Sequence, residues 1–146
     1  MDFARNNVTE SNEKSGLNEE QERLVVLVVD DEEEIRTVLR LTLTRAGYDV
    51  REAEDGESAL ESIQDDPPGL ILLDVLMPGM DGFEVCRRVR ADSETVHIPI
   101  LMLSAKTDTR SREDGILAGA TKYLTKPQAP AQLIRHVTDA LNNAAE

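Results

Sequence analysis

The chain has 146 residues, with 16 Lys and Arg against 29 Asp and Glu, a formal net charge of −13. That length suits one domain with a real core, and 40% hydrophobic with 31% charged residues is the composition of a soluble globule. With no basic stripe to displace counterions, so negative a field is expected to exclude nucleic acid and acidic membrane surfaces as partners. The single Cys86 excludes a disulfide framework and a multi-cysteine metal site. No apolar run approaches the roughly 18 residues that span a bilayer, and the Met1–Arg5 start lacks the apolar stretch of a secretory signal, so a cytoplasmic location is expected.

Residues 1–22 are polar and without sustained periodicity, which reads as a flexible tail, helical at most near Leu17–Arg23. From Leu24 the pattern changes. Leu24–Val29 is a continuous branched run, as in a strand buried on both faces, and it stops at Asp30-Asp31. Ile35, Val38, Leu39, Leu43 and Ala46 then recur at helical spacing, with Gly47 as the residue past the helix end. Tyr48–Ala53 reads as a short strand and Gly56–Gln64 as a helix, closed by Asp65-Asp66-Pro67-Pro68-Gly69. Leu70–Leu73 is a second buried strand that again stops at an Asp, followed by a helix over Phe83–Arg90. Ile98–Leu103 is a third buried strand, stopping at Ser104; Thr107–Ala118 is a weak helix and Lys122–Leu124 a short strand before Lys126. Leu133, Ile134, Val137, Ala140 and Leu141 mark a final amphipathic helix. Strands alternating with helices predict a doubly wound α/β domain, a five-stranded parallel sheet with helices on both faces.

In that architecture ligands bind beyond the carboxyl ends of the strands, where strand order reverses. Asp30, Asp31, Asp74, Ser104 and Lys126 all fall at those ends. Three carboxylates sharing a small space need a cation between them, and an all-oxygen set without His or Cys suits a hard ion, most simply Mg²⁺. A carboxylate is also a nucleophile toward phosphorus, in a transfer that needs little beyond positioning and charge neutralisation. Asp74, ending the central strand, is the better candidate. Lys126 would neutralise a phosphoryl oxygen, and the Ser104 hydroxyl would donate to another or cap the following helix. His97 and His136 lie away from the rim, Cys86 reads as a packed thiol, and Glu32–Glu34 as a solvated first helical turn favoured by the macrodipole.

These residues resemble the receiver domains of two-component response regulators. The resemblance covers Leu24–Asn142 and rests on V-V-D-D at 28–31, L-L-D-V-L-M-P-G-M-D-G at 72–82, L-S-A-K at 103–106 and K-P at 126–127, with matching intervals between Asp74, Ser104 and Lys126. It implies a receiver domain over 23–143 with the flavodoxin-like strand order 2-1-3-4-5. By the resemblance, Asp74 is the phosphoacceptor, Asp31 a direct Mg²⁺ ligand with Asp74 and the Leu76 carbonyl, and Asp30 a ligand through water. Ser104 and Lys126 take the family's hydroxyl and lysine positions, and Tyr123 that of the aromatic that changes rotamer on phosphorylation. The Lys126–Pro127 bond is expected to be cis. Gln128 departs from the pattern, in which an aromatic commonly follows Lys-Pro.

The implied function is a single-domain, non-enzymatic phosphoprotein that takes its phosphoryl group from a histidine kinase or phosphotransfer protein and switches affinity for a protein target. The fourth helix, fifth strand and fifth helix are the expected face for that target and for a weak dimer. Leu76 and Lys106, two residues past the acceptor and the hydroxyl, flank the line of water attack in the family's geometry. Neither accepts a hydrogen bond from water through its side chain, which predicts a slowly decaying phosphoprotein. A receiver within a longer regulator is one alternative. A Mg²⁺-dependent phosphohydrolase is the other, but Leu76 stands where such enzymes carry a second Asp.

Overall fold

The computed structural model describes residues 24–106 and 108–145, so the expected tail, its helical stretch and Thr107 lie outside the described residues. Five short runs form strands: β1 (Val25–Val29), β2 (Asp49–Ala53), β3 (Leu70–Asp74), β4 (Ile100–Ser104) and β5 (Lys122–Thr125). Between and after them lie α1 (Glu33–Arg45), α2 (Gly56–Asp65), α3 (Gly82–Ala91), α4 (Thr109–Ala118) and α5 (Pro130–Ala145). Every strand pair is parallel, in the order β2-β1-β3-β4-β5. The order reverses at β1, whose two neighbours are reached in opposite directions, so the crevice beyond β1 and β3 is the switch point.

The period-two alternation of the buried strands sorts the core into two layers. Leu27, Val29, Ile71, Leu73, Ile100 and Met102 face Ala59 and Ile63 of α2, Val85, Cys86 and Val89 of α3, and Ala118 of α4. Val26, Val28, Leu70, Leu72, Leu101 and Leu103 face Leu43 of α1 and Leu133, Val137 and Ala140 of α5. Both layers are closed, which is why β1, β3 and β4 read as unbroken apolar runs.

Several boundaries move from the sequence expectation. Tyr48 precedes β2 and its hydroxyl meets Thr138 Oγ1 at 2.8 Å, tying the turn to α5. β4 begins after Pro99, because Pro99 has no N–H for the ladder and the Ile98 carbonyl is taken by Arg90 Nη1 at 2.6 Å. α4 starts at Thr109, capped by Asp108, whose carboxylate accepts from the Ser111 N–H at 3.1 Å. On α1, Leu43 is buried but Val38 is 61% exposed, so that helix lays a narrower stripe on the sheet than its apolar residues suggest. Gly47 ends α1 at φ 101, the left-handed conformation expected of a residue just past a helix.

Candidate functional site

The rim is assembled from the last residues of β3 and β4 and from a ladder extended one residue past β1 and β5. The Asp30 N–H donates to the Ala53 carbonyl at 3.2 Å, and the Lys126 N–H to the Ser104 carbonyl at 2.9 Å. Asp74 is the last residue of β3, paired with Leu103, and Ser104 closes β4 opposite Thr125. Residues from four parts of the chain are thereby delivered to one edge.

Asp30, Asp31 and Asp74 each bring one carboxylate oxygen to within 4.8 Å of the others, the one such potential metal-binding group among the described residues. Asp30 and Asp74 are buried and Asp31 is exposed. The Lys126 ammonium donates to Asp30 Oδ2 at 2.7 Å and stands 3.5 Å from Asp74 Oδ2. Asp30 Oδ1 accepts the Glu32 N–H at 2.9 Å, and Asp74 Oδ1 accepts the Leu76 N–H at 3.4 Å. One ammonium does not neutralise three carboxylates. Burial, and then the Asp30 charge, push the Asp74 carboxyl up to about 6 against the pull of Lys126. Burial alone would lower the Lys126 ammonium, but the hydrogen bond to Asp30 and the charge of Asp74 outweigh it and the net direction is up. Three hard oxygen donors with surplus negative charge fit a small divalent cation.

Ser104 is fully buried, and its hydroxyl accepts the Lys106 N–H at 3.0 Å. The helix-cap alternative for this residue gives way to Asp108, because α4 begins too far along the chain for Ser104 to reach its first turn. Tyr123 is buried, with its hydroxyl donating to the Lys106 carbonyl at 2.7 Å. The Arg112 guanidinium lies 5.5 Å from the centre of that ring, and Nη1 donates to the Tyr123 carbonyl at 3.3 Å. Leu76 and Lys106 are exposed. Lys126–Pro127 is cis, and Gln128 turns its amide back to the Thr125 carbonyl at 2.8 Å.

Two contributors escape periodicity arguments. Asp81 caps α3 by accepting from the Glu84 N–H at 3.0 Å, a role its place just before Gly82 and Glu84 could have signalled. Arg36 donates to the Asp30 carbonyl at 2.7 Å, and nothing in its spacing marks that contact.

Residues 26–138 match the family model of the response regulator receiver domain. The chain belongs to that family. The receiver is 44% identical over 119 residues to the alkaline phosphatase synthesis transcriptional regulatory protein PhoP of Bacillus subtilis, covering 82% of this chain and 49% of that protein. It is 42% identical over 116 residues to the phosphate regulon transcriptional regulatory protein PhoB of Pseudomonas aeruginosa, covering 80% and 51%. Among solved structures, a response regulator from Chloroflexus aurantiacus superposes with a TM-score of 0.79 at 42% identity, covering 82% of this chain and 98% of that one. The chemotaxis protein CheY4 of Vibrio cholerae does so with 0.78 at 39%, covering 81% and 98%. The family is one of signal-transduction modules whose general features include Mg²⁺ and a phosphoaspartate. The chain spans about half the length of the curated relatives it matches. Those relatives are transcriptional regulators, so the expected exclusion of nucleic acid does not carry over to them; it describes the acidity of these residues alone. Among the described residues no helix is long and apolar enough to cross a membrane.

Proposed function

We propose that this receiver accepts a phosphoryl group on Asp74 from a histidine kinase or a histidine phosphotransfer protein and thereby changes its affinity for a protein target. The observation that carries the reading is the placement of Asp74. It is a buried carboxylate ending β3, its titration pushed up to about 6 by burial and the Asp30 charge, with an ammonium 3.5 Å away and two further carboxylates within 4.8 Å. In the transfer an Asp74 oxygen forms the new bond to phosphorus. The donor's P–N bond breaks, and its electron pair leaves on the imidazole nitrogen. Lys126 lies within reach to neutralise one phosphoryl oxygen once its contact with Asp30 loosens, and the Ser104 hydroxyl turns from the Lys106 N–H to donate to another. Asp31 and Asp74, with the Leu76 carbonyl and Asp30 through water, would hold Mg²⁺, which supplies charge neutralisation at the transferring group.

The finer assignments follow from that chemistry. Tyr123 reports the state of Ser104 through the Lys106 peptide, and the target meets α4, β5 and α5, the face also assigned to a weak dimer. The domain acts as a signalling module and assists only its own phosphorylation and dephosphorylation. A stand-alone role is one form of this proposal. The other, a receiver within a longer regulator, is favoured by relatives of which the matched residues make up only about half.

The test is intact-mass analysis after incubation with acetyl phosphate and Mg²⁺. One phosphoryl group is expected on the wild type and none on Asp74→Asn. Equal labelling of the variant would move the acceptor elsewhere.

A further inference from the structure

We infer that Arg36, anchored by Glu52, is the positioning residue that holds the Asp30–Asp31 turn in the pose a divalent cation needs; this rests on the Mg²⁺-assisted reading above. Arg36 Nη1 donates to the Asp30 carbonyl at 2.7 Å while its Nε donates to Glu52 Oε1 at 3.0 Å. The side chain is only 13% exposed, and Arg40 Nε donates to the other Glu52 oxygen at 2.9 Å, so the carboxylate that anchors Arg36 is itself held from both sides. On the other side of the same residue, the Asp30 N–H is fixed to the Ala53 carbonyl. Both backbone groups of Asp30 are therefore fastened to adjacent residues of β2, directly at Ala53 and through a guanidinium at Glu52.

The consequence falls on the metal ligands. The two carboxylate oxygens of Asp30 are taken by the Glu32 N–H and Lys126. Asp31 is exposed, so its direction is set chiefly by the backbone that carries it. A planar guanidinium bridges a carbonyl and a carboxylate at fixed angles, which an ammonium does not. Arg36 also brings a positive charge beside an anionic pocket, and by Coulomb's law alone that charge opposes cation uptake. The two effects have opposite signs, and the geometry points to positioning as the larger.

Calorimetric titration of Mg²⁺ into wild type, Arg36→Gln and Arg36→Lys separates them. Positioning predicts that both variants bind about 10-fold more weakly, as is typical when a group supporting a metal ligand is lost. It also predicts faster hydrogen exchange at the Asp31 and Glu32 amides in the metal-free variants, with the far β4 and β5 amides unchanged. Arg36→Lys keeps the charge and serves if the Gln variant folds poorly. Unchanged affinity in both variants, or tighter binding by Arg36→Gln, overturns the inference while leaving the phosphoacceptor reading standing. Absence of Mg²⁺ binding by the wild type overturns that reading itself, and the inference with it.

Discussion

Asp74 carries a cost in the metal-free protein. Its carboxyl titrates near 6 in the fold against an ordinary 3.8, so between those values the native state holds a proton that the unfolded chain has released. Stability from this group is therefore fully present below about pH 4 and is lost as pH rises through 6. At about 1.4 kcal/mol per unit, the ionised form costs on the order of 2–3 kcal/mol at neutral pH. Asp74→Asn removes the charge that faces Asp30 and Asp31. Urea unfolding in a chelator should show the variant more stable by about 2 kcal/mol at pH 7.5, the gain shrinking toward pH 4. Added Mg²⁺ should close the gap by stabilising the wild type. A variant less stable than wild type at pH 7.5 would refute the account. Lifetime is also a residue-scale matter. Leu76 and Lys106 are exposed and neither accepts a proton from water, so the phosphoprotein should decay slowly. A Leu76→Asn, Lys106→Glu double variant should lose its phosphoryl group roughly 10-fold faster in a mass-spectrometric time course, below the ~10²-fold that full general-base assistance provides. Decay no faster than wild type would show that neither position limits the approach of water.

At the scale of elements, α4 is the unusual one. It buries only Ser111, Gly115 and Ala118, all small, whereas α5 buries Leu133, Val137 and Ala140. Gly115 is there for space: a Cβ would lie 2.7 Å from the Tyr123 ring and 3.1 Å from Met102 Sδ. Gly115→Ala should thus destabilise by about 1–2 kcal/mol through overpacking, although alanine alone favours the helix. In a Tyr123→Ala background the same change should stabilise by up to about 1 kcal/mol, a reversal that a double-mutant cycle in urea would read directly. The apolar runs of β1, β3 and β4 made the sheet legible, because strands buried on both faces need no partner to be recognised. Asp30, Asp74 and Ser104 were legible for a related reason, since each follows such a run at once, and Lys126 because it stands just past the short strand β5. Arg36 was not, because a guanidinium bonding a backbone carbonyl leaves no periodic trace. The start of α4 was missed where Asp108, rather than Ser104, supplies the cap, and the start of β4 where Arg90 claims the Ile98 carbonyl.

Across the whole molecule, a path of ordinary bonds joins the acidic rim to one face. The Lys106 backbone is held on both sides, its N–H by the Ser104 hydroxyl and its carbonyl by the Tyr123 hydroxyl. A Ser104 that turns toward a phosphoryl group releases the Lys106 N–H, and the loop before α4 must then find a new arrangement. The weakly packed α4 is the element able to follow, carrying Ile116 and Leu117, which are 54% and 84% exposed. The neighbouring helices on the same face have no such freedom, because α2 and α3 pack Ala59, Ile63, Val85 and Val89 into the closed layer beneath them. Phosphorylation should therefore alter hydrogen exchange at Lys106, along α4 and in β5, while α2 and α3 keep their protection. Asp74→Asn treated identically should show no change anywhere. Changes confined to α2 and α3 would break the link from Ser104 to Tyr123 and place the signalling face on those two helices.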